Sequence, residues 1–331
     1  MSPRLLVTGA AGFIGSHVCE ALVARADEVI GLDNFDPFYP RAVKETNLAA
    51  LRRAPGFRFV EADIVRDTLP LDGVAVVVHL AARPGVGPSL ADPPGYMEVN
   101  VTGTARVLDA ARRAGVGRVV FGSSSSVYGD ATPAPFAESA PAVEPISPYA
   151  ASKRAGELVA HVFAQLYGLR IACLRFFTVY GPRQRPDLAI HRFTDSIARG
   201  RPVRQRGDGS SERDYTYISD AVRGVLAAVD WTGRGAGGAG GGGGGGGTAC
   251  EAFNIGGGER VRLDRLLALI GRTLGREPVV EGVPDEPGDV RLTAADLRRA
   301  GQVLGYRPTV GIEEGIRQFV RWYEATHGRE S

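Results

Sequence analysis

A glycine-rich turn near the start of the chain constrains the fold more than any other feature. The segment RLLVT, residues 4–8, is rich in β-forming residues, and TGAAGFIGSH places Gly9, Gly12 and Gly15 directly after it. Glycines at this spacing let the backbone turn tightly and approach a pyrophosphate, whose charge then lies at the N-terminus of the next helix. We expect that helix to contain HVCEALVAR and to be capped by Ser16. The pattern predicts a dinucleotide-binding βαβ unit.

A carboxylate ends the second predicted strand. Asp33 closes EVIGLD, residues 28–33, and stands 24 residues after Gly9. A carboxylate at this place can accept hydrogen bonds from the ribose diol of a dinucleotide. Because the same charge would repel a 2′-phosphate, we expect NAD rather than NADP.

Further apolar runs predict a parallel sheet. They lie at residues 57–63, 75–82 and 118–125, and segments with helical periodicity follow at 263–274 and near 312–326. The runs do not alternate apolar with polar residues, which is typical of strands covered on both faces. We therefore predict an α/β fold: a Rossmann-type doubly wound parallel sheet with a smaller α/β substrate-binding domain.

The predicted organisation has two domains with interleaved sequence. Residues 1–177 and 214–256 form the NAD-binding domain, and residues 178–213 and 257–331 form the substrate-binding domain. Residues 233–247, GRGAGGAGGGGGGGG, form an insertion that we expect to be disordered. Glycine has no side chain to bury and loses much backbone entropy on ordering, so this segment cannot pack.

One tyrosine and one lysine are the main catalytic candidates. YAASK places Tyr149 and Lys153 four residues apart on a predicted helix, so both side chains lie on one face. Lys44 is the only other lysine of this arginine-rich chain. An ammonium beside a phenol lowers the pKa of the phenol and makes it a usable general base. A serine run follows a predicted strand upstream, at the sheet edge where open α/β sheets bind ligands, and we expect Ser124 near the reacting hydroxyl.

Composition argues against several other classes of function. The formal net charge is +2 and the basic residues are scattered, so neither nucleic acid nor a membrane surface is an expected partner. Cys19, Cys173 and Cys250 are far apart and odd in number, which fits neither a disulfide framework nor a metal site, and we expect no metal. The N-terminal apolar run is too short for a signal peptide, and no stretch approaches the roughly 18 apolar residues of a membrane span. We expect a cytoplasmic protein.

The motifs together resemble those of the extended short-chain dehydrogenase/reductases, specifically the nucleotide-sugar epimerases and dehydratases. They occur in family order as GAAGFIG, LDNFD, ADIVRD, HLAA, SSSSVYG, YAASK, RFFTVYGPRQRPDLA, RGDGSSERDYTYISD and FNIGGG. The resemblance implies a catalytic set of Ser124, Tyr149 and Lys153. The NAD-binding residues that it implies are Gly9, Gly12, Phe13, Ile14, Gly15, Asp33, Asn34, Asp63, Ile64, Leu80, Ala81, Ala82, Asn100, Tyr149, Lys153 and Phe176.

The segment before VYG bears on the type of reaction. Dehydratases and decarboxylases of this family typically carry an acidic residue there, where this chain has Ser125 and Ser126. Dehydration needs a proton donor for the departing hydroxyl, so the missing carboxylate favours epimerization, which needs one base and a cofactor that takes and returns a hydride. dTDP-glucose 4,6-dehydratase and UDP-glucuronate decarboxylase activity stay as alternatives, as does a non-catalytic NAD-binding sensor.

The segment around Thr178 bears on the substrate. UDP-glucose epimerases commonly have asparagine at this position, whereas the subgroup of UDP-glucuronate 4-epimerases has threonine, followed by VYGP and an RPDMA-like string. The resemblance thus implies inversion at C4 of UDP-glucuronate to UDP-galacturonate through a 4-keto sugar, with UDP-glucose 4-epimerization as the alternative. The sugar carboxylate needs donors, which Ser125, Ser126, Thr178 and Arg185 could supply.

Three further positions are interpreted through the resemblance alone. Arg213, in ERDYTY, matches the family arginine on the sugar-nucleotide diphosphate, a task that suits a bidentate guanidinium. Asp289, in EPGDVR, matches a position near the nucleotide. Many relatives read QAGVRYS where this chain reads RPGVGPS, so Gly87 replaces a usual arginine. Relatives commonly dimerize through helices beside the active site, and we expect a homodimer here.

Overall fold

A seven-stranded parallel sheet is the centre of the computed structural model, which describes residues 3–234, 249–284, 290 and 292–328. The strands of the described residues are β1 (Arg4–Thr8), β2 (Glu28–Asp33), β3 (Phe57–Glu61), β4 (Val74–His79), β5 (Arg118–Ser124), β6 (Arg170–Phe176), β7 (Thr178–Tyr180), β8 (Val203–Arg206), β9 (Glu212–Tyr217), β10 (Cys250–Ile255), β11 (Arg260–Arg262) and β12 (Val280–Val283). The central sheet has the order β10-β6-β5-β4-β1-β2-β3 with every pair parallel. The chain therefore changes direction across the sheet between β1 and β4, where open α/β sheets bind ligands, and the predicted Rossmann-type fold is confirmed.

Helices cover both faces of this sheet. The helices are α1 (Phe13–Ala24), α2 (Arg41–Leu48), α3 (Val86–Ala91), α4 (Pro93–Met97), α5 (Gly103–Arg113), α6 (Pro148–Tyr167), α7 (Ala189–Ala198), α8 (Ile218–Gly233), α9 (Leu263–Leu274), α10 (Arg298–Leu304) and α11 (Ile312–His327). Leu5 and Val7 of β1 pack with α1 and α8, whereas Leu6 packs on the other face with α5 and α6. All three side chains are fully buried, and burying one large apolar side chain contributes about 1.5–3 kcal/mol. This two-sided burial explains why the strands carry no alternating pattern.

The first helix begins earlier than the sequence suggested. The expectation that Ser16 caps it is wrong, because α1 already begins at Phe13 and its N-cap residue is Gly12. Ser16 lies inside the first turn, where its hydroxyl donates to the carbonyl of Phe13 at 3.1 Å. The helix therefore starts directly at the glycine turn, with no side-chain cap over its first N–H groups.

Two smaller sheets are built mainly from the part of the chain that comes after β6 in sequence. Strands β7, β9 and β11 form one sheet in the order β11-β9-β7, and β8 pairs with β12. Helices α7, α9 and α11 pack on one another beside them. The division into two domains stays a prediction, and its boundary at residue 214 falls within β9, which pairs with β7.

Two sequence interpretations fall outside the described residues. Of the predicted disordered insertion, residues 235–247 are not described, and Gly233 ends α8. Asp289 also lies outside the described residues. Within the part of the chain that the structure describes, no helix is both long and apolar enough to span a membrane.

Candidate active site

A cavity of about 500 Å³ opens at the carboxyl ends of the parallel strands. It collects residues from the turns after β1, β2, β3, β4, β5 and β6. The predicted site residues that line it are Gly9, Gly12, Phe13, Ile14, Gly15, Asp33, Asn34, Asp63, Ile64, Leu80, Ala81, Ala82, Ser124, Ser125, Ser126, Tyr149, Lys153, Phe176, Thr178, Arg185 and Arg213. The cavity at this edge of the sheet therefore brings together residues that are up to 204 positions apart in sequence, from Gly9 to Arg213.

Asn100 is the described site residue that lies behind the cavity wall rather than on it. Its side chain accepts a hydrogen bond from the Arg83 N–H at 2.8 Å and donates to the Arg83 carbonyl at 2.9 Å. The same amide group donates to the Ser152 hydroxyl at 2.9 Å. Asn100 thereby fixes the turn after β4 against α6.

The glycine turn has space only for glycine. Gly9 has a φ of 73°, and a Cβ added to it would lie 2.8 Å from the Ala81 nitrogen. A Cβ on Gly15 would collide with the carbonyl oxygen of Gly9. The close approach of these backbones leaves the uncapped N-terminus of α1 at the cavity wall, where N–H groups and the helix dipole favour an anion.

Asp33 is held in place at the end of β2. Its carboxylate accepts hydrogen bonds from the N–H groups of Ala11 at 3.1 Å and Phe35 at 2.8 Å, and it lies 3.7 Å from the ammonium of Lys44. Asn34 beside it donates to Asp63 at 3.0 Å. The turns after β2 and β3 therefore present a fixed acidic wall to the cavity.

The predicted catalytic residues meet where α6 packs on β5. Ser147 caps α6 by accepting from the Ala150 N–H at 3.1 Å, and the helix then presents Tyr149 and Lys153 on one face. The Lys153 ammonium donates to the Gly122 carbonyl at 2.7 Å, and Ser124 lines the cavity together with Tyr149 and acts to lower the pKa of the phenol. The structure thus brings the phenol, the ammonium and the serine hydroxyl together at the carboxyl end of β5.

Burial dominates the pKa values at this point. It raises the pKa of Tyr149, and the hydrogen bond from Ser124 and the positive charge of Arg185 oppose that rise. Burial also lowers the pKa of Lys153 to about 8, against the opposing charge of Glu157. The expected lowering of the phenol pKa by Lys153 is not found, because Arg185 is the cation whose charge opposes the rise in the pKa of Tyr149.

The two arginines after β7 have different surroundings. Arg183 forms a bidentate ion pair with Glu20 of α1, at 2.8 and 2.6 Å, and therefore points away from the cavity. Arg185 lines the cavity, where Nε and Nη2 donate to Asp187 at 2.9 and 2.8 Å. Its guanidinium also lies 5.4 Å from the centre of the Phe38 ring. Its Nη1 group makes no hydrogen bond to any residue that the structure describes.

Sequence reasoning missed several residues that line the cavity. They are Asp36, Phe38, Tyr39, Lys44, Arg83, Pro84, Gly85, Val86, Leu188, Val290 and Thr293, among others. Two signals could have found some of them: Lys44 is one of only two lysines, and Arg83 begins the RPGVGPS segment that departs from the pattern of many relatives. Phe38 and Tyr39 lie within LDNFDPFYP, residues 32–40, a segment that resembles the corresponding segment of the UDP-glucuronate 4-epimerase subgroup.

Comparison with known proteins identifies the family. Residues 5–243 match the model of the NAD-dependent epimerase/dehydratase family. The chain belongs to this family.

The similarity extends over full-length members. A probable UDP-glucuronate 4-epimerase of Rhizobium meliloti is 36% identical over an alignment of 336 positions that covers 98% of each chain. The structure of UDP-glucuronic acid 4-epimerase from Bacillus cereus in complex with UDP-glucuronic acid and NAD is 34% identical with a TM-score of 0.89, covering 98% of this chain and 100% of that one. DesIV, a dTDP-glucose 4,6-dehydratase from Streptomyces venezuelae solved with NAD, is 36% identical with a TM-score of 0.87 and 98% coverage of both chains. The resemblance deduced from the motifs is confirmed.

NAD is the cofactor of this epimerase/dehydratase, and the residues present fit it. The uncapped N-terminus of α1 beside glycines that admit no Cβ suits a pyrophosphate. The hydroxyl of Tyr39, on a buried side chain that lines the cavity, has no hydrogen-bond partner among the described residues. We propose that the glycine turn holds the pyrophosphate and that Asp33 holds the adenosine ribose.

The glycine turn generates a first prediction. Gly15→Ala should weaken NAD binding at least about tenfold, about 1.4 kcal/mol, because the added Cβ must push the turn away from Gly9. Gly117→Ala is the matched control, since nothing lies within 4 Å of a Cβ at that glycine. Titration of each apoprotein with NAD by calorimetry measures the effect, and equal affinity of the two variants would contradict the proposed role.

Proposed function

We propose that the protein is a UDP-glucuronate 4-epimerase, which inverts C4 of UDP-glucuronate to give UDP-galacturonate through a transient 4-keto sugar. The observation that carries the proposal is the composition of the cavity around Tyr149. The hydroxyls of Ser125, Ser126 and Thr178 line it together with Arg185. A sugar carboxylate needs a cation and hydroxyl donors of this kind.

The geometry of Arg185 supports a carboxylate contact. Its side chain is only 15% exposed, and Asp187 holds it on the Nε side, so its orientation is fixed before a ligand arrives. The Nη1 group keeps its two N–H donors for a second acceptor. A guanidinium that is buried, oriented and still able to donate is suited to a second carboxylate.

The distribution of carboxylates argues against the alternatives. The described carboxylates on the cavity wall are Asp33, Asp36 and Asp63, which all follow β2 or β3. Dehydration would need an acid beside the sugar, and the family decarboxylases use one near the reacting carbons. The residues before Val127 are serines instead. Overall similarity does not make this distinction, because DesIV has nearly the same TM-score as the Bacillus cereus epimerase.

Tyr149 is the proposed general base. As a phenolate it takes the proton of the sugar 4-hydroxyl, and Ser124, which lines the same cavity, is proposed to hold that hydroxyl. NAD, when bound, would supply the hydride acceptor and donor, and the 4-keto sugar would turn in the pocket so that the hydride returns to the opposite face of C4. Tyr149 then gives the proton back to O4, so that protons and electrons balance over one turnover. The charge of Arg185 favours that phenolate, and Lys153, one turn further along α6, is proposed to complete the catalytic set.

Holding the carboxylate has a second consequence for the chemistry. Oxidation at C4 converts the sugar into a β-keto acid, which loses CO2 when its carboxylate aligns with the carbonyl π system. Arg185 and the hydroxyl of Thr178 can hold the carboxylate out of that alignment. The same contacts that select the substrate therefore protect the intermediate. Arg213 is proposed to bind the diphosphate at the other side of the sugar.

The role of Tyr149 is tested by removing its hydroxyl. Tyr149→Phe should lower the turnover number about 1,000-fold, because proton transfer by a positioned group contributes about 10²–10⁴-fold. NAD should remain bound, since the ring keeps its packing against Tyr96, with ring centres 6.3 Å apart. Conversion of UDP-glucuronate followed by NMR gives the rate. Near-normal turnover would rule out Tyr149 as the base.

The carboxylate contact is tested with two substrates. Arg185→Ala should lower kcat/KM for UDP-glucuronate about 10- to 100-fold, because hydrogen bonds to a charged group contribute about 1.5–3 kcal/mol. Any activity on UDP-glucose, which has no carboxylate, should fall much less. NMR of the products separates the reactions: UDP-galacturonate supports epimerization, whereas UDP-pentose as the main product would show decarboxylation. An equal loss with both substrates would contradict the role of Arg185.

We also propose that the protein is a homodimer in the cytoplasm. The helix that carries Tyr149 presents an exposed apolar stripe, in which Leu158, Val162 and Leu166 are 53%, 48% and 69% exposed at a spacing of four residues. A second copy related by a two-fold axis would bury this stripe against itself. Free thiols at all three cysteines support a reducing compartment, and cell fractionation tests that location.

The stripe makes the dimer testable. The double variant Val162→Asp and Leu166→Asp should convert a dimer into a monomer, because it places charges in an interface that would otherwise be apolar. Val143→Asp is the control, since Val143 is also exposed, at 69%, but lies outside α6. Sedimentation velocity measures the mass of each variant. A wild-type protein that sediments as a monomer would disprove the dimer.

A further inference from the structure

Two turns that flank the central strand meet across the cavity. The turn after β2, residues 34–39, and the turn after β4, residues 80–85, lie on opposite sides of β1 and both line the cavity. The Nε of Arg83 lies 3.4 Å from Oδ2 of Asp36 and thereby joins them. We propose that Arg83 and Asp36 form a strap that retains NAD between removal and return of the hydride. The inference rests on the proposed reaction, but its test needs no sugar substrate.

The β4 side of the strap is rigid. Both the N–H and the carbonyl of Arg83 are hydrogen-bonded to the side chain of Asn100, at 2.8 and 2.9 Å. The guanidinium is oriented by a second acid, because Nη1 donates to Asp92 at 2.6 Å. Asp92 itself caps α4 by accepting from the Gly95 N–H at 3.0 Å. Both the backbone and the guanidinium of Arg83 are therefore held in place on this side of the cavity.

The β2 side is a turn held by its own side chains. Asn34 accepts from the Asp36 N–H at 3.0 Å, and Oδ1 of Asp36 accepts from the Phe38 N–H at 2.9 Å. The ammonium of Lys44 donates to the Asp36 carbonyl at 3.0 Å. The second carboxylate oxygen, Oδ2, is the one that faces Arg83. Asp36 thus shapes its turn with one oxygen and reaches across the cavity with the other.

The ring of Phe38 approaches the opposite turn near the ion pair. Its Cζ atom lies 3.8 Å from the position that a Cβ on Gly85 would occupy. Gly85 has a φ of 97°, a conformation that favours glycine. The tips of the two turns therefore come near each other on the side of the cavity where Arg83 pairs with Asp36.

Arg83 belongs to a segment in which this chain departs from the motif pattern of many relatives. Where those relatives read QAGVRYS, this chain has RPGVGPS at residues 83–89. The arginine stands at the first position of the segment instead of the fifth. Gly87 therefore does not simply remove a cation, because Arg83 supplies one closer to the turn after β2.

Retention matters for this reaction because its net redox change is zero. The hydride that leaves C4 must return to the same sugar. If the cofactor dissociates between the two steps, the 4-keto sugar cannot be reduced and the reaction stops at the intermediate. A strap need not contact the reacting atoms to prevent this loss. Arg83 and Asp36 act through the turns that they hold together, and they are positioning residues rather than catalytic ones.

The test compares two isosteric changes that affect the same guanidinium. Asp36→Asn keeps an oxygen for the Phe38 N–H but removes the charge that faces Arg83, and the NAD dissociation rate should rise about fivefold, about 1 kcal/mol. Asp92→Asn also removes one acid from Arg83 but does not span the cavity, and Asn100 still holds the Arg83 backbone, so the rate should change less than about twofold. Both rates are measured on the holoenzyme by exchange of radiolabelled NAD against excess unlabelled NAD.

Arg83→Gln provides an independent variant, because it restores the residue of many relatives. It should release NAD as fast as Asp36→Asn, and Arg83→Lys, which keeps the charge, should restore at least half of the wild-type retention. Raising the salt concentration should speed release from the wild type more than from Asp36→Asn, because the two side chains of the pair are 30% and 25% exposed. Release from Asp36→Asn and Arg83→Gln at the wild-type rate, or equal rates for Asp36→Asn and Asp92→Asn, would overturn the strap. None of these outcomes depends on which sugar is the substrate.

Discussion

The contact between α6 and the end of β5 is the interaction on which the active site depends. Three side chains of α6, at intervals of four residues, face the last three residues of the strand. Tyr149 lines the cavity with Ser124, Lys153 donates to the Gly122 carbonyl, and Glu157 accepts from Ser123 at 2.6 Å. Glu157 is 5% exposed and forms a bidentate pair with Arg175 of β6 at 2.8 Å, so its charge is compensated where water is excluded. Removing one partner of such a pair leaves an uncompensated buried charge, which costs several kcal/mol. The helix register, and with it the positions of the phenol and the ammonium, is therefore fixed by electrostatics as well as by packing.

The segment after β7 connects the cofactor helix with the substrate pocket. Arg183 adopts a φ of 65°, which is uncommon for a residue with a side chain, and its pair with Glu20 of α1 compensates that conformation. Two residues later Arg185 faces the cavity. The backbone that positions Arg185 is thus anchored to the helix that begins at the glycine turn. The proposed cofactor and sugar sites thus belong to one connected structure, which would limit how far the two ligands can move relative to each other during two hydride transfers.

Local sequence patterns predicted the elements well, and long-range pairing was beyond them. The strand Arg4–Thr8 and the helix Leu263–Leu274 have the bounds expected. A continuous apolar run predicts a buried strand and helical periodicity predicts a helix, and both patterns involve only residues that are close in sequence. Cys173 and Cys250 appeared unrelated in sequence, yet their Sγ atoms lie 3.8 Å apart on β6 and β10, since the fold pairs these strands across a long connection. The ion pair between Arg83 and Asp36 could not be predicted for the same reason, because the two residues are far apart in sequence and are brought together by the fold. Family motifs supplied most cavity residues, but not the partners that orient them.

The charges around the cavity favour one orientation of an acidic sugar nucleotide. On the side of β2 and β3, three carboxylates line the wall and two of them have basic neighbours, Lys44 and Arg83. On the side of Tyr149, the described cations that line the wall are Lys153, Arg185 and Arg213, and Arg185 pairs with Asp187. Among the described residues of the wall, carboxylates therefore lie on the first side and none lies on the second. A sugar carboxylate is repelled from the wall proposed to hold the adenosine ribose and attracted to the wall that carries the base. For the proposed substrate, this distribution of charge favours the side of Tyr149, where the hydroxyls of Ser125, Ser126 and Thr178 are proposed to orient the sugar carboxylate.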